Sequence, residues 1–147
     1  MFRHKSLGLL TGILVAPRLA SKIMSRNPGK LPGSSALEDI ASKVSHYSLY
    51  AFMTIMPATG IAMGYYGGKG LPFFTTTIPG AEKPDGATAK QAFSIHKTMG
   101  VYGKYLFPIH IGAAFLHAIK GQAIFYRIGL GAAPVAAAAA TSETTGA

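Results

Sequence analysis

The fold is decided by residues 44–64, which read VSHYSLYAFMTIMPATGIAMG and contain no charged side chain. At 1.5 Å per residue, a helix of this length crosses a hydrocarbon core of about 30 Å. Ser35, followed by Glu38 and Asp39, is typical of a helix start just before this run. Gly67, Gly68, Gly70 and Pro72 follow the run and predict its end. The segment therefore predicts a membrane-spanning helix, which we expect to be kinked, not ended, at Pro57.

Two further apolar runs lie on either side of this helix. Residues 7–24 form the first run and contain Pro17, Arg18 and Lys22, and residues 93–119 form the third. In lipid every backbone polar group needs a partner within the protein, and open strands cannot supply it. We therefore expect an all-α membrane helical bundle of three transmembrane helices.

The remaining segments connect or follow these helices. A long loop is expected between the second and third helices over residues 71–89, with the apolar residues 71–74 dipping into the membrane interface. Residues 122–130 are too short to cross and predict an interfacial turn or short helix. The transmembrane domain then covers residues 1–131, and residues 132–147 are an Ala/Thr tail of low complexity.

Composition supports a membrane environment and excludes several classes of site. The chain is 49% hydrophobic and 13% charged, about half the charged fraction of a typical soluble domain. Its net charge is +9, but the basic side chains flank the apolar runs as headgroup anchors do, so nucleic-acid binding is not expected. Cysteine is absent from the sequence, which excludes disulfides, iron–sulfur clusters and thiolate catalysis. No carboxylate pair lies within a span, and no phosphate-binding glycine loop follows a strand.

Two of the five histidines begin parallel helices. With three crossings the first and third helices run parallel, so His4 and His96 lie at the same membrane surface and at similar depth. Two neutral imidazoles at one level are what a bis-histidine haem requires. Gly8 and Gly12 share the helix face of His4, and Gly100 that of His96, which leaves room for a macrocycle. The alternative is that these glycines only let helices pack closely. The pairing of glycine and histidine on both helices favours haem.

The other three histidines predict a second site towards the opposite surface. His110 follows His96 by 14 residues, about 21 Å along the axis and on nearly the same helix face. His117 lies seven residues further on that face, and His46 begins the antiparallel helix at a similar depth. Arg18 lies at the depth of His110 and is a candidate to meet a haem propionate, as are Lys97 and Lys104. Ionisable residues within a membrane are costly and usually functional, although for His46 and His117 a simple interfacial position is an equal alternative.

The ordered spacing of these residues resembles the bacterial-type cytochrome b561 family. The resemblance extends over most of the chain and is carried by His4, Lys5, Gly8, Arg18, Ser45, His46, Leu49, Tyr50, Met56, Pro57, Gly60, His96, Gly100, His110 and His117. It implies a dihaem membrane cytochrome of four helices, in which His4 matches the second-helix ligand and His96 and His110 match the two ligands of the last helix. The resemblance pairs His4 with His96. The family's first helix, which supplies the partner of His110, is not found in this sequence.

We therefore expect one haem b, held by His4 and His96. The second site is then either empty or completed by His46, by His117 or by a partner subunit. The expected function is membrane electron transfer, with quinol as a candidate donor and a larger respiratory complex as the setting. The alternative is a structural or accessory subunit of a respiratory or photosynthetic complex, with a non-catalytic haem or none. In both cases we expect an electron-transfer or accessory subunit in preference to a free-standing enzyme.

Location is predicted from the N-terminal third. The first 37 residues lack any acidic side chain, which favours the mitochondrial inner membrane over a plastid or bacterial plasma membrane. Residues 1–16 also resemble a short secretory signal, but Pro17 and Arg18 follow where a small-x-small cleavage site would be expected. We therefore interpret this segment as a membrane helix.

Overall fold

The computed structural model describes residues 2–25, 33–122 and 124–127. Its helices are α1 (Phe2–Met24), α2 (Ala36–Tyr66), α3 (Gly86–Ile119) and the short α4 (Ile124–Arg127). Two short strands, β1 (Leu71–Phe73) and β2 (Thr76–Ile78), lie between α2 and α3. The three long helices correspond to the three apolar runs of the sequence, and α4 falls within the predicted interfacial segment. The tail at residues 132–147 lies outside the described residues.

Helix α2 begins where the sequence predicted. The Ser35 hydroxyl accepts a hydrogen bond from the Glu38 backbone N–H, and the Glu38 carboxylate accepts one from the Ser35 N–H. This reciprocal capping box satisfies two backbone donors that a helix start leaves without partners. The helix continues through Pro57 and ends before Gly67. The prediction that Pro57 does not end the helix is confirmed.

Helix α3 begins seven residues earlier than the apolar pattern indicated. Its first residue is Gly86, preceded by Asp85, whose carboxylate accepts hydrogen bonds from the backbone N–H groups of Ala87 and Thr88. The expected start at residue 93 was wrong because the first two turns contain Gly, Ala, Thr, Lys and Gln and no large apolar side chain, so hydropathy alone does not reveal them. Asp85 does indicate the start of α3, because aspartate is a preferred N-cap residue.

Helix α2 lies at the centre, and α1 and α3 each pack against it. On one side Gly12 contacts Pro57, where a β-carbon would lie 3.1 Å from the proline Cβ. On the other side Gly103 faces the Phe52 ring so closely that a β-carbon would overlap it, and Phe52 also contacts Phe107 edge-on. Within the described residues α1 and α3 do not pack against each other. A cleft therefore separates these two helices.

Most large apolar side chains point away from this bundle. Within the described residues the buried apolar side chains are Leu9, Leu71 and Ala92, whereas the exposed ones include Ile13, Leu14, Tyr102, Ile109, Phe115 and Leu116. Lipid covers such a surface in a membrane protein. By length and mean hydropathy, α1 is the described helix that meets the requirement for a membrane span. Helices α2 and α3 carry histidine, tyrosine, threonine and proline, which lower their mean hydropathy.

An antiparallel β-hairpin replaces part of the expected loop between α2 and α3. Leu71 pairs with Ile78, and Phe73 pairs with Thr76. The hairpin is fastened to α1 by Ser6, whose side chain is only 1% exposed. The Ser6 hydroxyl donates to the Pro72 carbonyl at 3.2 Å and accepts from the Phe74 N–H at 3.0 Å. The apolar segment that the sequence assigned to the membrane interface thus packs against the N-terminal half of α1.

At the opposite end, the start of α2 is joined to the end of α3. Lys120 Nζ lies 2.5 Å from Glu38 Oε1. The hydrogen bond from Lys120, together with that from the Ser35 N–H, lowers the pKa of Glu38 to about 2. A hydrogen bond from Thr88 likewise lowers the pKa of Asp85 at the start of α3. Both carboxylates therefore remain ionised at neutral pH.

Candidate functional site

His4 of α1 and His96 of α3 face each other across the cleft. Their ring centroids are 6.1 Å apart and the ring planes are almost perpendicular, at 86°. His4 is exposed and His96 is half-buried against α2. The structure therefore brings together the two side chains that the topology placed at one membrane surface.

The His96 ring is held by the backbone and side chains of α2. Its Nδ1 lies 3.1 Å from the Met56 carbonyl oxygen and 3.0 Å from the Thr59 hydroxyl oxygen. The Thr59 hydroxyl donates to the Ile55 carbonyl at 2.7 Å, so it is available to accept a hydrogen bond from His96. These two acceptors favour the tautomer in which Nδ1 carries the proton. The Nε2 lone pair is then free to bind a metal.

Gly60 makes this contact between the ring and α2 possible. A β-carbon at Gly60 would lie 3.4 Å from His96 Cε1 and 3.7 Å from its Nδ1. Met56 and Gly60 were predicted only as parts of a family resemblance, and Thr59 was not predicted from the sequence. The signal that could have found Thr59 is a hydroxyl adjacent to a glycine in the middle of an uncharged span.

The distance between the two ring centroids would accommodate a metal bound between the imidazoles. A metal–imidazole bond is about 2.0–2.1 Å, and the bonded nitrogen lies about 1.1 Å from the ring centre. Two imidazoles on opposite sides of one ion therefore have centroids about 6.3 Å apart, against the observed 6.1 Å. Within the described residues no group of three His, Cys, Asp or Glu side chains converges on a metal position. A macrocycle that supplies its own nitrogens fits a pair of imidazoles better than a bare ion does.

The glycines one turn after the two histidines are not packed against another helix. A β-carbon at Gly8 or at Gly100, one turn after His4 and His96 respectively, would have nothing within 4 Å. Gly12 is different, because it contacts Pro57 of α2. Of the three glycines predicted to border a haem, Gly8 and Gly100 line open space, whereas Gly12 serves helix packing.

A second pair of histidines lies towards the other end of α2 and α3. The ring centroids of His46 and His110 are 5.2 Å apart, with the planes at 74°. The Ser45 hydroxyl lies 2.9 Å from His110 Nδ1, and the Ser42 hydroxyl lies 3.3 Å from His46 Nδ1. His117 is not part of this pair, since its Nδ1 is hydrogen-bonded to the Gln122 side chain. The structure thus joins two of the three residues predicted for a second site.

The predicted cationic contacts are less clearly placed. Arg18 and Lys97 are exposed on α1 and α3, and Lys104 lies over the Tyr105 ring with its Nζ 5.0 Å from the centroid. A role for Lys97 or Lys104 at a propionate stays a prediction. For Arg18, a contact with a haem propionate stays a prediction.

Residues 1–129 match the family described as prokaryotic cytochrome b561. The chain belongs to this family. A curated relative, cytochrome b561 homolog 2 of Escherichia coli (strain K12), is 28% identical over 94 residues. The aligned region is 63% of this chain and 50% of that protein, so the chain spans about half the length of the relative.

Membership in the cytochrome b561 family confirms the resemblance seen in the sequence. Cytochromes of this family are helical membrane proteins that bind b-type haem and transfer electrons. The facing imidazoles, the open cleft and the tautomer of His96 fit such a group. The matched region includes all four helices and both histidine pairs.

Proposed function

We propose that this cytochrome b561 binds one haem b between α1 and α3, with His4 and His96 as the two axial ligands. The observation that carries the proposal is the 6.1 Å separation of the two rings across an open cleft. Support also comes from Gly8 and Gly100, which leave space one turn from each ligand. When bound, haem supplies a one-electron redox couple.

Each residue of the site has a distinct part. His4 and His96 would each hold the haem iron through a ring nitrogen. Met56 and Thr59 hold the proton at His96 Nδ1 and thereby fix the orientation of that ring. The buried Ser6 anchors the hairpin to α1 two residues after His4, which limits movement of that ligand.

The proposed function is membrane electron transfer between a quinol-type donor and a protein partner. The exposure of His4 supports exchange with an external partner, because the ligand lies at the edge of the bundle. The three long helices are proposed to cross the membrane, with α2 and α3 shielded by neighbouring subunits of a larger complex. The comparisons give no support to the mitochondrial location favoured by composition. The prokaryotic family favours the bacterial plasma membrane.

Haem quantitation on the purified protein tests the ligand assignment. Pyridine haemochrome analysis is expected to give one haem b per chain, and the oxidised spectrum is expected to be that of a low-spin bis-histidine iron. His4→Leu and His96→Leu should each abolish this haem, whereas His117→Leu should leave it in place. Full haem content in both ligand variants would refute the assignment.

A redox titration with quinol separates a carrier from an accessory subunit. Rapid reduction by a short-chain quinol supports the carrier. A haem reduced only by dithionite, in a protein that co-purifies with a large assembly, would instead support the accessory role. Assembly and normal respiration with His96→Leu would show that electron transfer at this site is dispensable.

A further inference from the structure

Gly64 of α2 lies one turn after Gly60, the glycine against which the His96 ring packs. The space beside Gly64 is filled by the Leu71 side chain of β1. A β-carbon at Gly64 would overlap that side chain and would lie 3.2 Å from the Gly70 carbonyl oxygen. Leu71 is only 6% exposed. The two glycines therefore let two different elements, α3 and the hairpin, approach the same part of α2.

The hairpin also holds α1 close to His4. The Ser6 hydroxyl bonds to the hairpin backbone at Pro72 and Phe74. Ser6 follows His4 by two residues, which is about 3 Å along the helix axis and about 200° around it. The hairpin thus contacts α1 beside His4, on the side that faces away from the cleft. The contact of Gly12 with α2 lies about 12 Å further along α1 than His4.

The segment that follows the hairpin is fastened to the end of α2. The Ala81 N–H donates to the Tyr65 carbonyl, and the Asp85 N–H donates to the Tyr66 carbonyl, both at 2.9 Å. These carbonyl groups belong to the last turn of α2, where the helix itself supplies no donor. Helix α2 therefore holds the hairpin at both ends, and the position of β1 follows that of α2.

We propose that Gly64 and Leu71 are positioning residues for His4 and act through the hairpin. Helix α2 then places both proposed ligands, because it contacts His96 directly at Gly60 and reaches His4 through β1. Within the described residues α1 and α3 do not pack against each other, so the distance between the two rings depends on how α2 holds each of them. The inference rests on the proposed ligation of haem by the two histidines.

Carbon monoxide binding to the reduced, haem-loaded protein in detergent tests the proposal, because CO reaches the iron only after one axial imidazole has left it. Gly64→Ala is expected to speed CO binding by about fivefold or more, since the added methyl group overlaps Leu71 and displaces β1. Leu71→Ala, which leaves a cavity, should have a similar effect. The double variant should bind CO more slowly than Gly64→Ala alone, because the smaller side chain removes the overlap. A general loss of stability would not be rescued in this way.

Hydrogen–deuterium exchange shows which of the two ligands is released. In Gly64→Ala the backbone amides of residues 6–10 of α1 should exchange about fivefold faster than in the unchanged protein, whereas those of residues 93–100 around His96 should keep their rate. Haem-free protein should show the same difference, because the hairpin contacts do not involve the cofactor. Gly112→Ala is the matched control, since its methyl group would meet open space, and it should change neither measurement.

Unchanged CO binding in both Gly64→Ala and Leu71→Ala would overturn the proposal, as would faster exchange spread equally over the three long helices. If Gly64→Ala does not fold, Leu71→Val, a milder change at the same contact, should still speed CO binding by about twofold or more. A protein without haem would contradict the proposed function, and the exchange measurement would still decide whether the hairpin positions α1. A bis-histidine haem that is unaffected in these variants would contradict only the positioning role.

Discussion

Replacing Thr59 by valine tests whether α2 tunes the proposed haem through His96. Valine keeps the shape of threonine but removes the hydroxyl that lies 3.0 Å from His96 Nδ1. The helix itself should be unaffected, because the bond from the Thr59 hydroxyl to the Ile55 carbonyl only supplements the backbone ladder. The Met56 carbonyl remains as an acceptor at 3.1 Å. Thr59→Val therefore removes one of the two acceptors near the His96 Nδ1–H and leaves the other in place.

The magnitude follows from the strength of one hydrogen bond. An acceptor at Nδ1–H makes the imidazole a stronger donor to iron, which stabilises the oxidised state. A neutral hydrogen bond contributes about 0.5–1.5 kcal/mol, and here the remaining acceptor keeps the loss near the lower half of that range. For a one-electron couple, about 1.4 kcal/mol corresponds to about 59 mV. We expect the midpoint potential of Thr59→Val to rise by about 20–40 mV.

Spectroelectrochemical titration of the purified cytochrome measures this shift. Thr59→Ser should keep the original potential, because it restores the hydroxyl. Thr54→Val is the matched control, since the Thr54 hydroxyl donates to the Tyr50 carbonyl at 2.8 Å on the exposed side of the same helix. An unchanged potential in Thr59→Val, or an equal shift in Thr54→Val, would show that α2 does not act on the iron through this contact.

Three further predictions concern stability. Ser6→Ala should lower the free energy of unfolding by about 1–3 kcal/mol, because it removes the hydroxyl that bonds to the hairpin backbone. Thermal unfolding measures this loss, and the control Thr11→Val, at an exposed position, should show little change. Gly103→Ala should lower the free energy of unfolding by about 1–3 kcal/mol, because the added methyl group overlaps the Phe52 ring of α2. Gly112→Ala should be tolerated in the same assay, because its methyl group would meet open space. The pKa of Glu38, lowered to about 2 from 4.5, makes its ion pair stabilising above pH 4.5, and this contribution should be lost as the pH falls towards 2. Glu38→Gln should flatten that part of the stability–pH curve.

Much of the helical architecture could be predicted from the sequence, because lipid leaves the backbone few alternatives. The uncharged run at residues 44–64 and the capping box at Ser35 locate α2 with little ambiguity. The polar start of α3 could not be read from hydropathy, and the hairpin was missed because its strands are only three residues long. Short strands are determined mainly by what they pack against. Here that is Ser6, a residue far away in the sequence.

The histidine pairs were predictable to different degrees. Parallel topology and equal depth are sufficient to place His4 near His96, because a histidine at the head of each helix has few other positions. The hydroxyls that orient the rings, Thr59 and Ser45, were not predicted as such. Their contacts depend on the rotation of α2 about its own axis, which a single sequence does not specify.

The cleft between α1 and α3 has a consequence for the biogenesis of this cytochrome. These two helices approach each other through imidazole rings and not through their backbones. A haem held by both rings, as proposed, would add a link between α1 and α3 that their own packing lacks. Protein prepared without haem is therefore expected to be cleaved by protease faster than the haem-loaded protein.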